Sequence, residues 1–326
     1  MKEEEKFGLV VIGRNEGLRL KLCLESVVGF TNNVVYVDSG STDDSINIAK
    51  ELNVKIIKLD MSKPFTAARA RNEGFQKLIK IEPNLEYVQF VDGDCEVVAG
   101  WFDIAVNYLS KYPTFAVVCG RRRERYPDAS IYNLLCNIEW NTIPGEVKTC
   151  GGDAMYRVKA FISINGFRSN LIAGEEPELC VRLRNSGWRI CRLDTEMTLH
   201  DANMMHFNQW WKRSIRAGYA FAEGAYLHSS KPEKYRVRES LSIWFWGILF
   251  PITIVLLSMH NPWWILLFIT YPIQVLRLFM NGHHSLYENI IQAVYIMLGK
   301  FPEGIGQIKF IIDRMFRRQN KIIEYK

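Results

Sequence analysis

Tyr87-Val88-Gln89-Phe90-Val91-Asp92-Gly93-Asp94 is the stretch on which the fold turns. A short, β-branched apolar run reads as a buried strand, and this one ends in two acids around a glycine. Two earlier runs have the same form. Leu9-Val10-Val11-Ile12 leads to Gly13-Arg14-Asn15-Glu16, and Val34-Val35-Tyr36-Val37 leads to Asp38-Ser39-Gly40-Ser41-Thr42-Asp43. In an open α/β sheet, ligands bind in the crevice outside the carboxyl ends of the strands, so three acidic strand ends converge on one crevice. Carboxylates placed there suit a ribose, a base edge or a metal ion carrying phosphates. Like charge disfavours direct phosphate contact. The expected ligand is a nucleotide whose phosphates arrive with a divalent cation.

Outward from these strands, strand and helix patterns alternate from residue 7 to about 110. Leu18 to Val28 reads as a helix closed by Gly29. Ser41 reads as the N-cap of the next, with Asp44 completing a capping box and Ile46, Ile48, Ala49 and Leu52 as its apolar face. Val54 to Leu59 is the next expected strand and Pro64 to Ile79 the next helix. This order predicts an α/β fold with a mostly parallel sheet and helices on both faces. From residue 113, Pro113, Pro127, Pro144 and several glycines loosen the pattern into a mixed α/β half that covers the crevice.

The 326 residues suffice for one large domain with an appendage, or for two domains. A net charge of +6 without any RNA- or DNA-binding motif gives no support to a nucleic-acid partner. Arg121-Arg122-Arg123 reads as a solvated or anion-facing turn. The seven cysteines form no C-x-x-C pair and are odd in number, which fits reduced cytosolic thiols. The charged start Met1-Lys2-Glu3-Glu4-Glu5-Lys6 is not that of a signal peptide, so the globular part is expected in the cytosol. Leu241 to Ser258 and Pro262 to Leu276 carry no charge, and each approaches the ~20 residues of a spanning helix. Arg236 and Arg238 precede the pair, Arg277 ends it, and the link Met259-His260-Asn261 has no Lys or Arg. That charge pattern predicts a hairpin with both ends in the cytosol. Pro251 and Pro272 leave a re-entrant or shallow hairpin open, and two buried core helices are the bland alternative. From Tyr287 onward, apolar residues mixed with Lys300, Lys309, Arg314, Arg317 and Arg318 read as an amphipathic helix on an anionic membrane surface.

Four constellations carry chemistry. Asp92-Gly93-Asp94 aims two carboxylates from one turn, which suits Mg²⁺ or Mn²⁺ bound with a diphosphate. Arg71, in Ala70-Arg71-Asn72, either faces the crevice and meets phosphate or base, or is a helix-surface arginine. Glu175 and Glu176 fall where a helix begins, with Pro177 in its first turn. An acid there is either a partner of the helix dipole or a general base within reach of an acceptor hydroxyl. His200 and His206 flank Asp201 closely. His200, directly after an expected strand end, is the better third metal ligand beside the D-x-D.

In this order the motifs resemble family 2 inverting glycosyltransferases of the GT-A fold, over residues 7 to about 225. Residues Val10 to Glu16 look like the family's opening strand with its Asn-Glu pair, and Val37 to Asp43 like its nucleotide loop. Ala70-Arg71-Asn72-Glu73-Gly74 matches A-R-N-x-G, Asp92-Gly93-Asp94 matches D-x-D, and Gly151-Gly152-Asp153 is similar to the acceptor-side glycine loop. Glu175-Glu176 aligns with the E-D pair, with Glu in place of Asp at the base position, and Ser39 stands where many members carry a second acid. Gln209-Trp210-Trp211-Lys212-Arg213 matches the Q-x-x-R-W of processive members only in part, which disfavours a long-chain synthase.

The resemblance implies a nucleotide-sugar site at Gly13, Asn15, Glu16, Asp38, Arg71 and Asp92. Asp38 would hold the base, with Glu16 and Arg71 alongside, and Asp92 the ribose. Gly151, Gly152 and Asp153 would line the acceptor side, Asp94 and His200 would bind Mg²⁺ or Mn²⁺, and Glu176, oriented by Glu175, would take the acceptor proton. Asp153 is the next candidate base. The implied partners are a UDP- or GDP-linked sugar donor and a lipid-linked or saccharide acceptor. The setting would be cell-surface polysaccharide or glycolipid assembly at the cytoplasmic face of the cell membrane. Residues 1–235 would be the catalytic domain and 236–326 a membrane-associated helical region. Two other readings compete. A nucleotidyltransferase with a related core wants a glycine-rich phosphate loop with a basic residue after the first strand, which Gly13-Arg14-Asn15-Glu16 is not. A non-catalytic membrane scaffold has no need of Asp94 and Glu176 together.

Overall fold

The computed structural model describes residues 6–230 and 233–317. The chain forms two compact units. One runs to Tyr126 and adds Glu139–Leu171 and Glu175–Ala202; the other takes Pro127–Ile138, Ile172–Gly174 and the chain from Asn203 onward.

The first half alternates as its sequence pattern predicts: β1 (Phe7–Gly13), α1 (Leu18–Glu25), β2 (Val34–Asp38), α2 (Ser45–Glu51), β3 (Lys55–Lys58), α3 (Ala67–Ile81) and β4 (Tyr87–Asp92). There follow β5 (Cys95–Val97), α4 (Trp101–Lys111), β6 (Phe115–Glu124), α5 (Ile131–Trp140), β7 (Gly145–Glu146), β8 (Ala154–Arg157), α6 (Val158–Ser163), α7 (Glu175–Asn185) and β9 (Arg189–His200). The strands form one sheet in the order β3-β2-β1-β4-β8-β6-β9-β5, with β7 also on β9. β3, β2, β1 and β4 are parallel. Beyond them the sheet is mixed, since β8 runs antiparallel to β4 and β6 while β6 and β9 are parallel. Leu9–Val11, Val35–Val37 and Val88–Val91 are buried, as strands covered on both faces require. In the register Ile12 faces Asp92 and Gly13 faces Asp38, so the acidic strand ends lie side by side.

Three expected boundaries move. α1 stops at Glu25. α2 starts at Ser45 with Asp44 at its N-cap position; Ser41 is not a cap, because its hydroxyl accepts the Asn15 N–H at 2.9 Å. α3 starts at Ala67 rather than Pro64, since the Thr66 hydroxyl accepts the Arg69 N–H at 3.0 Å and caps the helix there. One glycine seats α3 on the sheet. A Cβ at Gly74 would lie 2.3 Å from Val10 Cγ1 and 2.9 Å from Val37 Cγ2. Arg71, three residues earlier and on the same helix face, is thereby set at the strand ends.

The second unit is helical. α8 (Phe207–His228) is followed by α9 (Val237–Trp244), a π-helical turn (Phe245–Leu249), α10 (Phe250–His260), a 3₁₀ segment (Pro262–Ile269), α11 (Thr270–Met280) and α12 (Leu286–Met315). Two stretches are long and apolar enough to cross a membrane: Val237–His260 with 11% buried and Pro262–Met280 with none buried. Their low burial argues against the buried-core alternative. The π turn directly precedes Pro251, whose missing N–H and bulky ring disturb the regular ladder there.

α12 departs from an isolated surface helix. It packs on α8, where a Cβ at Gly218 would meet the Glu303 carbonyl oxygen and one at Gly306 the Ile215 carbonyl oxygen, each at 2.0 Å. Its expected basic face is largely spent within the protein: Lys300 pairs with Glu303, Lys309 with Asp313, and Arg314 stacks on Tyr226. Arg318 lies outside the described residues.

Candidate active site

The site assembles at the carboxyl ends of β1, β2 and β4. Asn15 holds the loop after β2: its Oδ1 accepts the Thr42 N–H at 2.7 Å while its N–H donates to Ser41 Oγ. Asp38 is turned into that same loop. Its Oδ2 accepts the Gly40 and Ser41 N–H groups at 3.0 Å each, and its Oδ1 accepts the Tyr36 hydroxyl at 3.1 Å. Burial and the Asp38 charge together push the Tyr36 phenol up, so it stays a donor. Glu16 pairs with Arg19 at 2.8 Å and lies against Gly93, whose added Cβ would be 3.4 Å from Glu16 Cγ. Gly13 backs this corner, its carbonyl accepting the Ser39 N–H.

Arg71 is the centre of a second group. It is buried, so neither a surface position nor a free phosphate contact describes it. Nη2 bonds Asp92 Oδ1 at 2.6 Å, and Nη1 meets Glu175 Oε1 at 2.9 Å and Glu176 Oε1 at 2.8 Å. Gly152 lets these groups close: a Cβ there would lie 2.6 Å from Arg71 Nη2, 2.7 Å from Asp92 Oδ2 and 3.1 Å from Glu176 Oε1. Gly151 beside it is exposed, with open space where a Cβ would point.

The arginine triplet needs correcting. Arg121-Arg122-Arg123 is no turn but the end of β6, where Arg121 and Arg123 reach Glu196 and Arg122 points inward. Arg122 bonds Asp92 Oδ2 at 2.9 Å and Asp153 Oδ2 at 2.8 Å, 5.4 Å from the Trp140 ring. Asp153 is accordingly a buried strut rather than an acceptor-side or basic group. It accepts from Arg122, from the Thr198 hydroxyl at 2.8 Å and from the Asp92 N–H at 3.0 Å, and its side chain is 0% exposed.

The protonation states divide the carboxylates. Burial works to raise Asp92, but Arg71 and Arg122 outweigh it and hold it below the usual carboxylate range. For Glu176, burial and the Glu175 charge prevail over Arg71, and its carboxyl is pushed up to about 7. Two acids on one guanidinium are thus driven apart, the pattern of a charge-bearing group beside a group poised to take a proton.

The third group is Asp94 with His200. Asp94 Oδ2 lies 3.3 Å from His200 Nε2, and the Cys95 thiol donates to Asp94 Oδ1 at 3.7 Å. Ligand atoms of Asp94, Cys95 and His200 lie within 4.8 Å of one another. One carboxylate oxygen and one imidazole nitrogen facing each other fit Mg²⁺ or Mn²⁺. Burial and the surrounding carboxylates push the Cys95 thiol up, in keeping with its S–H donating to Asp94. Asp92, Asp153, Glu175 and Glu176 share the guanidiniums of Arg71 and Arg122 while Asp94 and Glu124 flank His200, a concentration of carboxylates that also suits a cation. His206 is elsewhere: it stands at the start of α8, its N–H donating to Gln209 Oε1.

Residues 9–164 match the profile of glycosyl transferase family 2, and residues 133–208 match a profile described as N-terminal domain of galactosyltransferase. The segment is a family 2 glycosyltransferase domain. A similar curated protein is the O-antigen chain rhamnosyltransferase of Salmonella typhimurium, 23% identical over 189 residues, covering 53% of this chain and 58% of that protein. An uncharacterized glycosyltransferase of Rickettsia conorii is 40% identical over 53 residues, 16% of this chain and 19% of that one. The chain thus spans less than two thirds of either relative. Among solved structures, a mannosyltransferase from Pyrobaculum calidifontis, in complex with GDP-Man and Mn²⁺, aligns with a TM-score of 0.57 at 14% identity, over 93% of this chain and 87% of that one. S. aureus TarS 1–349 aligns at 0.51 and 15% identity, over 96% and 92%. The glycosyltransferase domain therefore has a GT-A-type fold.

Of the site residues expected from sequence, Arg71, Asp92, Gly152, Asp153, Glu175 and Glu176 come together. Asp94 meets His200, and Gly13, Asn15, Glu16 and Asp38 share the β1–β2 corner. Arg122 and Glu124 were not expected. Their signal was the alternation Arg-Arg-Arg-Glu, which puts residues 122 and 124 on one face of a strand.

Proposed function

We propose that the chain transfers a sugar, with inversion, from a nucleotide-diphosphate sugar to a hydroxyl of a lipid-linked or saccharide acceptor. The observation that carries this reading is Arg71 shared between Asp92 and Glu176, which joins a donor-side carboxylate to a carboxyl poised near pH 7. Asp92, ionised between two guanidiniums, would accept from ribose hydroxyls. Glu176 takes the acceptor hydroxyl's proton as that oxygen forms a bond to the anomeric carbon. The carbon–oxygen bond to the diphosphate breaks on the opposite face, and the nucleoside diphosphate leaves. Asp94 Oδ2 and His200 Nε2 would hold a divalent cation, Mg²⁺ or Mn²⁺, which supplies neutralisation of the diphosphate's developing charge. Arg71 positions both Glu175 and Glu176, and Glu175 raises its neighbour's affinity for a proton.

The exposed apolar stretches Val237–His260 and Pro262–Met280 support membrane association through a hairpin. A lipid-linked acceptor in cell-surface polysaccharide or glycolipid assembly, at the cytoplasmic face, is consistent with it. The division of labour we propose is catalysis in residues 1–235 and membrane contact in 236–326. The test is transfer from UDP- and GDP-sugars in detergent with Mn²⁺, followed by the product's anomeric configuration. A retained configuration, or hydrolysis insensitive to Glu176→Gln, overturns the mechanism.

A further inference from the structure

The buried carboxylate behind His200 has no role in the chemistry above. β6 and β9 run parallel with Glu124 opposite His200 in the register. The Glu124 side chain is 0% exposed. Its Oε1 accepts the Tyr126 N–H at 3.1 Å and its Oε2 the Ala202 N–H at 3.0 Å, so two backbone donors fix its orientation. Oε2 faces His200 Nδ1 at 3.5 Å, and that nitrogen is buried without a hydrogen bond inside ordinary limits. On the ring's other side Nε2 faces Asp94 Oδ2 at 3.3 Å. The Trp140 ring packs edge-on against the imidazole, 4.6 Å between centroids, and resists its rotation.

Each imidazole nitrogen therefore faces a carboxylate oxygen, yet a neutral imidazole has only one N–H. The two sides differ. Glu124 is sealed in the protein, whereas Asp94 belongs to the D-x-D turn at the crevice, the side from which a cation enters. The partner of one ring nitrogen decides what the other can offer. Resting on the reading of Asp94 and His200 as cation ligands, we propose that Glu124 is a positioning residue that holds the proton on His200 Nδ1. Nε2 is then left as a lone-pair donor beside Asp94.

The test uses full-length protein with ¹⁵N-labelled histidine, free of metal and at a pH above the His200 titration, together with Mn²⁺ titrations read by electron paramagnetic resonance. In the wild type the His200 ¹⁵N shifts are expected to show a protonated Nδ1. Glu124→Leu takes the acceptor away from Nδ1, so the proton is expected on Nε2, beside Asp94, and Mn²⁺ affinity is expected to fall ~10–100-fold. Adding His200→Ala to Glu124→Leu is expected to bring little further loss, because both act on one ligand. A wild-type Nε2–H tautomer overturns the proposal and needs no variant to fold. So does Mn²⁺ affinity unchanged in a folded Glu124→Leu protein while His200→Ala weakens it; in that case the ligand reading stands. If His200→Ala itself leaves Mn²⁺ binding intact, the ligand reading has failed and the proposal with it.

Discussion

At the scale of single residues, the chemistry rests on how neighbours move protons. Glu176 is raised by burial and by Glu175, so in the proposed mechanism it would act as a base only as pH passes about 7. The log of kcat/KM is expected to rise with pH and level off above that value. Glu176→Gln is expected to remove the limb and lower the rate ~10²–10⁴-fold, with donor binding by calorimetry nearly unchanged. Glu175→Gln is expected to be milder and to shift the limb to lower pH, since one neighbouring negative charge is gone. The same linkage acts on stability. A carboxyl raised in the folded state contributes stability that is fully present below its ordinary value of 4.5 and lost as pH rises through about 7. The Gln variant should therefore gain in melting temperature relative to wild type between those limits, and an unchanged difference would contradict the burial argument. Asp94 tests a different function. Asp94→Asn is expected to cost far more turnover than stability, because Asn keeps the shape of this buried side chain and loses the anionic oxygen that would bind the cation. Full activity in that variant, or in wild type with a chelator, would remove Asp94 from the mechanism.

Elements place these residues, and two glycines show the tolerance involved. At Gly74 an added methyl would press on Val10 and Val37, which are buried in the sheet and have nowhere to go. Gly74→Ala is expected to destabilise by about 1–3 kcal/mol, read as a lower urea midpoint with an unchanged slope. At Gly152 the methyl would meet Arg71, Asp92 and Glu176 rather than core atoms. Gly152→Ala should therefore spare the melting temperature and abolish transfer; a normal rate would show that the loop simply moves aside. β6 shows an element changing the meaning of its residues. Three consecutive arginines look like solvated charge, but strand alternation divides them between Glu196 on one side and the Asp92–Asp153 pair on the other.

For the whole molecule, the apolar second unit has its own expectation. Leu256, Ile265, Leu266, Ile269 and Ile273 are all more than half exposed, an area that soluble surfaces seldom show. The full chain is expected to pellet with membranes and to resist both high salt and alkaline extraction, yielding only to detergent. Release by salt alone would favour attachment through surface charge. The paired lysines of α12 already make that route weaker than its sequence implied.

What the sequence by itself determined is the part in which cause is local. Apolar β-branched runs make strands, acids after them reach the crevice, and ordered motifs name the family, so β1, β2, β4, Asp92, Asp94, Glu175 and Glu176 were legible from residue order. Uncharged runs likewise announced the two apolar helices. Tertiary structure alone decided which charges meet. Arg71 meets Glu175 across 104 positions and Arg122 meets Asp153 across 31. Glu124 stands behind His200 only because β9 returns beside β6. Local pattern specifies that a residue is charged and on which face of its element it lies. The partner that pairs it, and hence whether it binds, orients or takes a proton, depends on how distant strands are ordered in the sheet.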